Sequence, residues 1–265
     1  MTEAEYDRNV SAWAAAGFQI ATHAIGDLAN RVVLDKYRQI CEDRGVPDLR
    51  NRIEHFQIVN VTDIPKLKVG DGPHAGTCIL PSMQPTHATS DMVFAETRLG
   101  PDRLKGAYAW RSAIDAGIGA LPLGSDFPTV GVVPPLLGIY AAVTRENISG
   151  MPAGGWTPSQ KLTAHQALKG YTVDAAFGAF QEGSRGAIKL GMLADFVVLD
   201  RNILDPAVAP SIWKAVVLGT YLGGDPTHTH PCFLSGGRVP CPANGADAIL
   251  AKLRPKRTGD DGCPH

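Results

Sequence analysis

Apolar positions along the chain alternate between short runs of strand length and longer stretches with helical spacing. Residues 4 to 16 have a helix-compatible composition, and Gly17 ends that segment in a C′-type position before the β-rich run Phe18 to Thr22. From Leu28 to Arg44 the apolar positions Leu28, Val32, Val33, Ile40 and Cys41 share one helical face, closed by Gly45 and Pro47. Asn51 to Val59 then predicts a second strand, Val61 to Val69 a short helix and Thr77 to Met83 a third strand. Ser90 to Gly117 predicts one or two helices broken near Gly100-Pro101, and Ile118 to Gly124 a fourth strand. Strands that alternate with helices at intervals of roughly 30 to 40 residues point to right-handed βαβ units and a parallel sheet.

Beyond Asp126 the texture changes. A Pro- and Gly-rich segment, Phe127 to Pro135, leads to an apolar helix at Leu136 to Thr144. Thr157-Pro158 and Thr163-Ala-His-Gln166 read as helix starts, the second as a capping box with Thr at the N-cap and Gln three residues on. That helix is expected to run to Glu182, where Gly183 stops it. Four further strands are expected at Ala187 to Lys189, Asp195 to Asp200, Lys214 to Tyr221 and Cys232 to Val239, as part of a small β unit. The polar tail from Lys252 is expected to be disordered.

Composition narrows the partners. The chain has 265 residues, 44% of them hydrophobic, enough for a sizeable core in one large or two unequal domains. Its 25 basic and 26 acidic residues nearly cancel and form no long block of one sign, which argues against nucleic acid or a membrane surface as partner and favours a small molecule. The acidic start, Met1 to Asp7, lacks the order of a secretory signal, and no apolar stretch reaches the ~20 residues that cross a bilayer. A soluble, cytoplasmic protein is expected. The five cysteines, odd in number and irregularly spaced, read as reduced thiols.

The candidate chemistry sits where strands are expected to end. His23 follows Phe18 to Thr22, His55 follows Arg52-Ile-Glu54, and Asp126 follows Leu121 to Ser125. In a parallel α/β sheet the carboxyl ends of the strands open on one face, so such residues can converge on one ion or substrate. Two imidazoles and a carboxylate form a plausible metal set. Taken singly, each residue also suits a structural role: a hydrogen-bonded strand-end imidazole for His23 and His55, an Asx turn or helix cap for Asp126. Gln84 and His87, at the end of the third expected strand, could hold a developing oxyanion or simply satisfy loop carbonyls. The His228-Thr-His230 pair has a metal-like spacing but a turn-like setting between Gly-Gly-Asp-Pro and Pro, and is read as a turn.

Several segments, in order, resemble the amidohydrolase superfamily, and within it the amidohydrolase family 3 branch that includes N-substituted formamide deformylases. They are Thr22-His23-Ala-Ile-Gly-Asp27, Arg52-Ile-Glu-His55, Gln84-Pro-Thr-His87-Ala-Thr-Ser-Asp91, Gly124-Ser-Asp126-Phe-Pro, Ala141-Ala-Val-Thr-Arg145, Leu162 to Leu168 and Gly186 to Asp200. The resemblance implies a distorted (β/α)8 TIM barrel with a small β-sandwich. It implies His23 and His55 as metal ligands on strands five and six, Asp126 as ligand and catalytic base on strand eight, and Gln84 and His87 near the substrate on strand seven. The implied cofactor is a divalent metal, zinc by its ligands.

Family members also carry a His-x-His pair on the first strand and a carboxylated Lys or a Glu on the fourth. No residue before His23 replaces these, so the chain is expected to be the carboxyl-terminal half of such an enzyme, strands five to eight of the barrel plus part of the sandwich. On that basis residues 1–183 form the partial barrel, 184–245 the partial sandwich and 246–265 the disordered tail. The leading expectation is a metal-dependent hydrolase of a small-molecule amide C–N bond, with Asp126 as general base. The alternative is a non-catalytic half-barrel that folds only with a partner; a homo-oligomer is compatible with either.

Overall fold

The computed structural model describes residues 2–130 and 133–234. Helix α1 (Glu3–Ala15) opens with a capping box in which the Thr2 hydroxyl accepts the Glu5 N–H and the Glu5 carboxylate accepts the Thr2 N–H. Gly17, at φ 83°, turns the chain out of α1. Strand β1 (Ala21–Ala24) begins later than the expected Phe18 to Thr22 run. The reason is local: Phe18 stays exposed, and the Gln19 amide donates to the carbonyls of Arg50 and Gly178. His23 therefore lies within β1 instead of after it.

Helix α2 (Asp27–Asp43) buries Val33, Leu34, Tyr37, Ile40 and Cys41 and crosses over to β2 (Asn51–His55). Each fully buried apolar side chain of this face, such as Leu34, stabilises the fold by about 1.5–3 kcal/mol. The short helix expected over Val61 to Val69 contracts to a 3₁₀ turn, Ile64–Leu67. Strand β3 (Ile79–Ser82) follows, and the three strands form a parallel sheet in the order β1-β2-β3. Ala24 pairs with His55 and Glu54 with Ser82, so the three strands end nearly level. Helix α3 (Pro85–Leu104) starts directly after β3 and kinks at Gly100, φ 71°, ahead of Pro101. Helix α4 (Trp110–Asp115) completes the helical stretch expected between Ser90 and Gly117.

A fourth full strand does not form over Ile118 to Gly124. Only an isolated parallel bridge joins Met83 to Leu123, through the Met83 N–H to the Pro122 carbonyl and the Gly124 N–H to the Met83 carbonyl. Pro122 has no N–H to give a ladder. The Leu121 N–H goes instead to the Asp174 carboxylate and the Leu123 N–H to the Gly170 carbonyl, tying the segment to the helices that follow.

Those helices are α5 (Pro135–Thr144), α6 (Ala164–Lys169), which carries the expected Thr163–Gln166 capping box, and α7 (Ala175–Gly178), joined to α6 by a single π turn over Gly170–Asp174. The expected strand at Ala187 to Lys189 is irregular chain, with Ile188 exposed. β4 (Phe196–Leu199), β5 (Val217–Leu222) and β6 (Asp225–Thr229) form an antiparallel sheet in that order. Gly223 and Gly224, both at positive φ, make the two-residue turn of the β5–β6 hairpin. His228 lies in β6, a strand hidden from sequence reading by Pro226 and by its exposed, polar pattern. Helix α8 (Pro231–Leu234) occupies the start of the expected Cys232 to Val239 strand. The remainder of that strand and the tail lie outside the described residues.

The expectation of strands five to eight of a barrel, in a carboxyl-terminal half alone, is thus corrected. The chain forms an α/β fold that spans all the described residues, with a partial, distorted barrel-like sheet: three parallel strands with one bridge, then three antiparallel strands. The cysteine expectation is corrected too. Cys41 on the buried face of α2 and Cys78 just before β3 form a disulfide, because packing α2 on the sheet brings their Cα atoms to 6.3 Å. Among the described residues no helix is long and apolar enough to cross a membrane.

Candidate active site at the ends of the parallel strands

The level ends of β1, β2 and β3 place His23, His55 and Gln84 side by side. His23 is exposed on β1 and its ring meets that of His55 edge-on, with centroids 4.5 Å apart. His55 ends β2 and is buried, and there the backbone leaves the extended region abruptly: His55 has φ 79° and Phe56 φ 43°. Consecutive left-handed residues other than glycine cost of order 1–3 kcal/mol each, and persist where packing over-determines them. Here Phe56 is fully buried and the His55 Nδ1 lies 2.9 Å from the Oε1 of Gln84.

Gln84 comes directly after β3, and Pro85 at the first position of α3 fixes the turn that sends the chain into the helix. His87, in the first turn of α3, stacks on His55 at 5.8 Å between ring centroids. Burial lowers the His87 pKa from its ordinary value, and the neighbouring His55 lowers it further; the charges of Asp126 and Asp91 oppose both. Its Nε2 is buried without a partner, as is the Thr86 hydroxyl beside it.

Asp126 follows the Leu123 bridge and holds φ 59°, a conformation Asp tolerates better than most residues. Its carbonyl accepts the Thr129 N–H. Its carboxylate is felt by His87 as a charge, without a direct bond between them. The structure therefore gathers His23, His55, Gln84 and His87 by contact, and Asp126 by electrostatic reach. His228 belongs to the antiparallel sheet, apart from this cluster in the fold.

Asp91, Gln57 and Tyr108 form a hydrogen-bonded group that sequence reasoning missed, and the Asp91 charge acts on His87. Asp91, one helical turn beyond His87, accepts hydrogen bonds from the Tyr108 hydroxyl and from Gln57 Nε2, the latter at 2.8 Å. Gln57 Nε2 also donates to the Tyr108 oxygen at 2.6 Å. Burial raises the Tyr108 pKa, and its bond to Asp91 adds to that rise. Arg145, fully buried and itself at φ 56°, donates to the carbonyls of Tyr108 and Trp156 and packs over the Trp110 ring. Burial lowers its pKa. The one signal in the sequence was the four-residue spacing of His87 and Asp91, which puts them on one helix face; nothing marked Gln57 or Tyr108.

Imidazoles are suitable donors for a divalent cation of the zinc type. The donor set fits such an ion in kind but not in number: among the described residues no group of three His, Cys, Asp or Glu side chains is arranged to hold a metal. The pair His23 and His55 is an incomplete shell. What the mouth does offer without any ion is a half-buried carboxylate, an unpartnered imidazole nitrogen and a carboxamide within one cluster, a set able to move a proton and to hold a carbonyl oxygen.

Comparison with known proteins places the chain. A model described as "Amidohydrolase family" matches residues 1–228. This corrects the expectation of a likeness to a carboxyl-terminal half only, since the match runs over nearly the whole chain. The protein LONG AFTER FAR-RED 3 of Arabidopsis thaliana is 37% identical over 211 residues, covering 79% of this chain and 34% of its own length. N-substituted formamide deformylase of Arthrobacter pascens is 28% identical over 211 residues, 78% of this chain and 36% of its own. The chain thus spans about a third of the length of these relatives. Among solved structures, an uncharacterized metal-dependent hydrolase from Pyrococcus horikoshii superimposes with a TM-score of 0.62 at 28% identity, covering 77% of this chain and 38% of the other.

Proposed function

The chain belongs to the amidohydrolase family, and from that premise we propose that it hydrolyses the C–N bond of a small-molecule amide at the mouth formed by β1, β2 and β3. The observation that carries this reading is the meeting of three imidazoles, His23 on β1, His55 at the end of β2 and His87 in the first turn of α3, with His55 in ring contact with each of the other two. The deformylase relative supports an amide in which the nitrogen bears a substituent.

In this reading Asp126 takes a proton from the attacking water and returns it to the leaving nitrogen, the work of a general base that becomes a general acid. His87 and the Gln84 amide hold the carbonyl oxygen as it gains charge, a role worth on the order of 3 kcal/mol where single donors have been removed from such sites. His55 is fixed by its hydrogen bond to Gln84. Dependence on a divalent metal, zinc by donor type, enters this reading through the family, with His23 and His55 as its donors. The half shell they form supports no step drawn through an ion.

The test is hydrolysis of a panel of N-formylated amines by the full chain, with metal content measured in parallel. Asp126→Asn is expected to lower kcat by two or more orders of magnitude while circular dichroism and Tm stay unchanged. Full turnover in that variant would remove the mechanism, and an absence of bound metal together with metal-independent turnover would remove the cation from it.

A further inference from the structure

Beside the histidine cluster, between the first turns of α3 and the end of α5, lies a cavity of about 500 Å³, within the ~300–1,000 Å³ range of small-molecule sites. Thr86, His87 and Asp91 line one side, and Leu137, Glu146 and Ile148 the other. Its chemistry is one-sided. The acidic side chains on its described wall are Asp91 and Glu146, and no Lys or Arg is among the described lining residues.

A second observation shows unmet hydrogen bonding at the same place. Thr86 is 7% exposed, yet its hydroxyl oxygen has no partner, and neither has the His87 Nε2. An unsatisfied buried polar atom costs about 1–3 kcal/mol, which a ligand toward which the Thr86 hydroxyl turns would recover. Carboxylate and hydroxyl oxygens offer acceptors, while Leu137 and Ile148 offer an apolar wall. The complementary ligand is a protonated amine on an aliphatic or aromatic body.

We infer that this cavity takes the amine side of the substrate and selects amides whose amine component carries a second, protonated nitrogen. The inference rests on the amide-hydrolase reading for the word substrate; recognition of the cation itself does not.

Two probes of matched length separate the possibilities: monoformyl cadaverine, which ends in an ammonium, and N-formylpentylamine, which ends in a methyl. Their Kd values are measured by calorimetry on the full chain at neutral pH, and their hydrolysis is followed separately. The cationic probe is expected to bind about tenfold tighter, the scale of one charge-assisted hydrogen bond. Glu146→Gln keeps an oxygen for the Gly154 N–H that Glu146 now accepts, so the fold is maintained while the preference shrinks. Thr86→Val replaces an unpaired hydroxyl by a methyl of the same shape; it is expected to leave Tm equal or higher and to weaken the cationic probe alone. Equal affinities for the two probes, or a preference untouched by both variants, would overturn the inference. Hydrolysis of both probes with equal affinity would overturn it while leaving the hydrolase reading intact. Selective binding of the cation without hydrolysis of any amide would support the cavity's preference and count against the hydrolase reading.

Discussion

The Nδ1 of His55 and the Oε1 of Gln84 lie 2.9 Å apart, joining the end of β2 to the residue that leads β3 into α3. A carboxamide oxygen only accepts, so Nδ1 is the donor in this bond and carries a proton. One hydrogen bond thus sets both the orientation and the tautomer of the most buried imidazole of the cluster.

Gln84→Leu would leave the buried Nδ1–H unpaired. We expect a loss of about 1–3 kcal/mol in urea unfolding and a mixture of His55 tautomers in ¹⁵N NMR spectra. Gln84→Glu, which restores an acceptor, should recover the single tautomer. An unchanged spectrum in Gln84→Leu would show that the bond does not set the tautomer.

Removing the Tyr108 hydroxyl should be felt at the same cluster. Tyr108→Phe deletes a donor to Asp91 and an acceptor for Gln57 in a buried setting, and the expected cost is about 1–3 kcal/mol of stability. With Asp91 less restrained, the imidazole signals of His87 should broaden or shift. A variant as stable as the parent, with His87 undisturbed, would argue that the network is ornamental.

The Cys41–Cys78 bridge closes a separation of 37 residues and ties α2 to the start of β3. Restricting the unfolded chain in this way is worth roughly 2–4 kcal/mol. The double substitution of both cysteines by Ala should lower the denaturation midpoint accordingly, and a reductant should do the same to the parent protein but not to the variant. A midpoint insensitive to both would show that the bridge contributes no stability.

At the opposite end of β2, Glu182 pairs with Arg50 at 2.7 Å, and Arg50 also stacks on Phe177. The hydrogen bond from Arg50 lowers the Glu182 pKa. A carboxylate with a depressed folded-state pKa contributes stability that is complete above its ordinary value and is lost as pH falls through the lowered one. Glu182 is partly exposed, so solvent screening keeps the effect below about 1 kcal/mol. The difference in Tm between the parent and Glu182→Gln should therefore be present at neutral pH and vanish in acid. A difference that grew as pH fell would contradict the pairing.

Much of this molecule was legible in its residues. The alternation of strand and helix, the α2 face, the Gly100-Pro101 break and the Thr163 capping box are dictated by periodicity and local hydrogen bonding, which neighbouring residues alone determine. The sequence also named His23, His55, Gln84 and His87 as residues that could converge, because a parallel sheet opens its carboxyl ends on one face, and in the structure their side chains meet; Asp126 follows a single bridge in place of the expected fourth strand. What only the tertiary structure decided depends on groups distant in sequence. Asp174 and Gly170 take the N–H groups that a fourth strand would have used, α2 packing makes two irregularly spaced cysteines a disulfide, and Tyr108, Gln57 and Asp91 meet behind the histidines. A hydrogen bond is satisfied by whichever partner folding brings within about 3 Å, and no period along the chain records which one that will be.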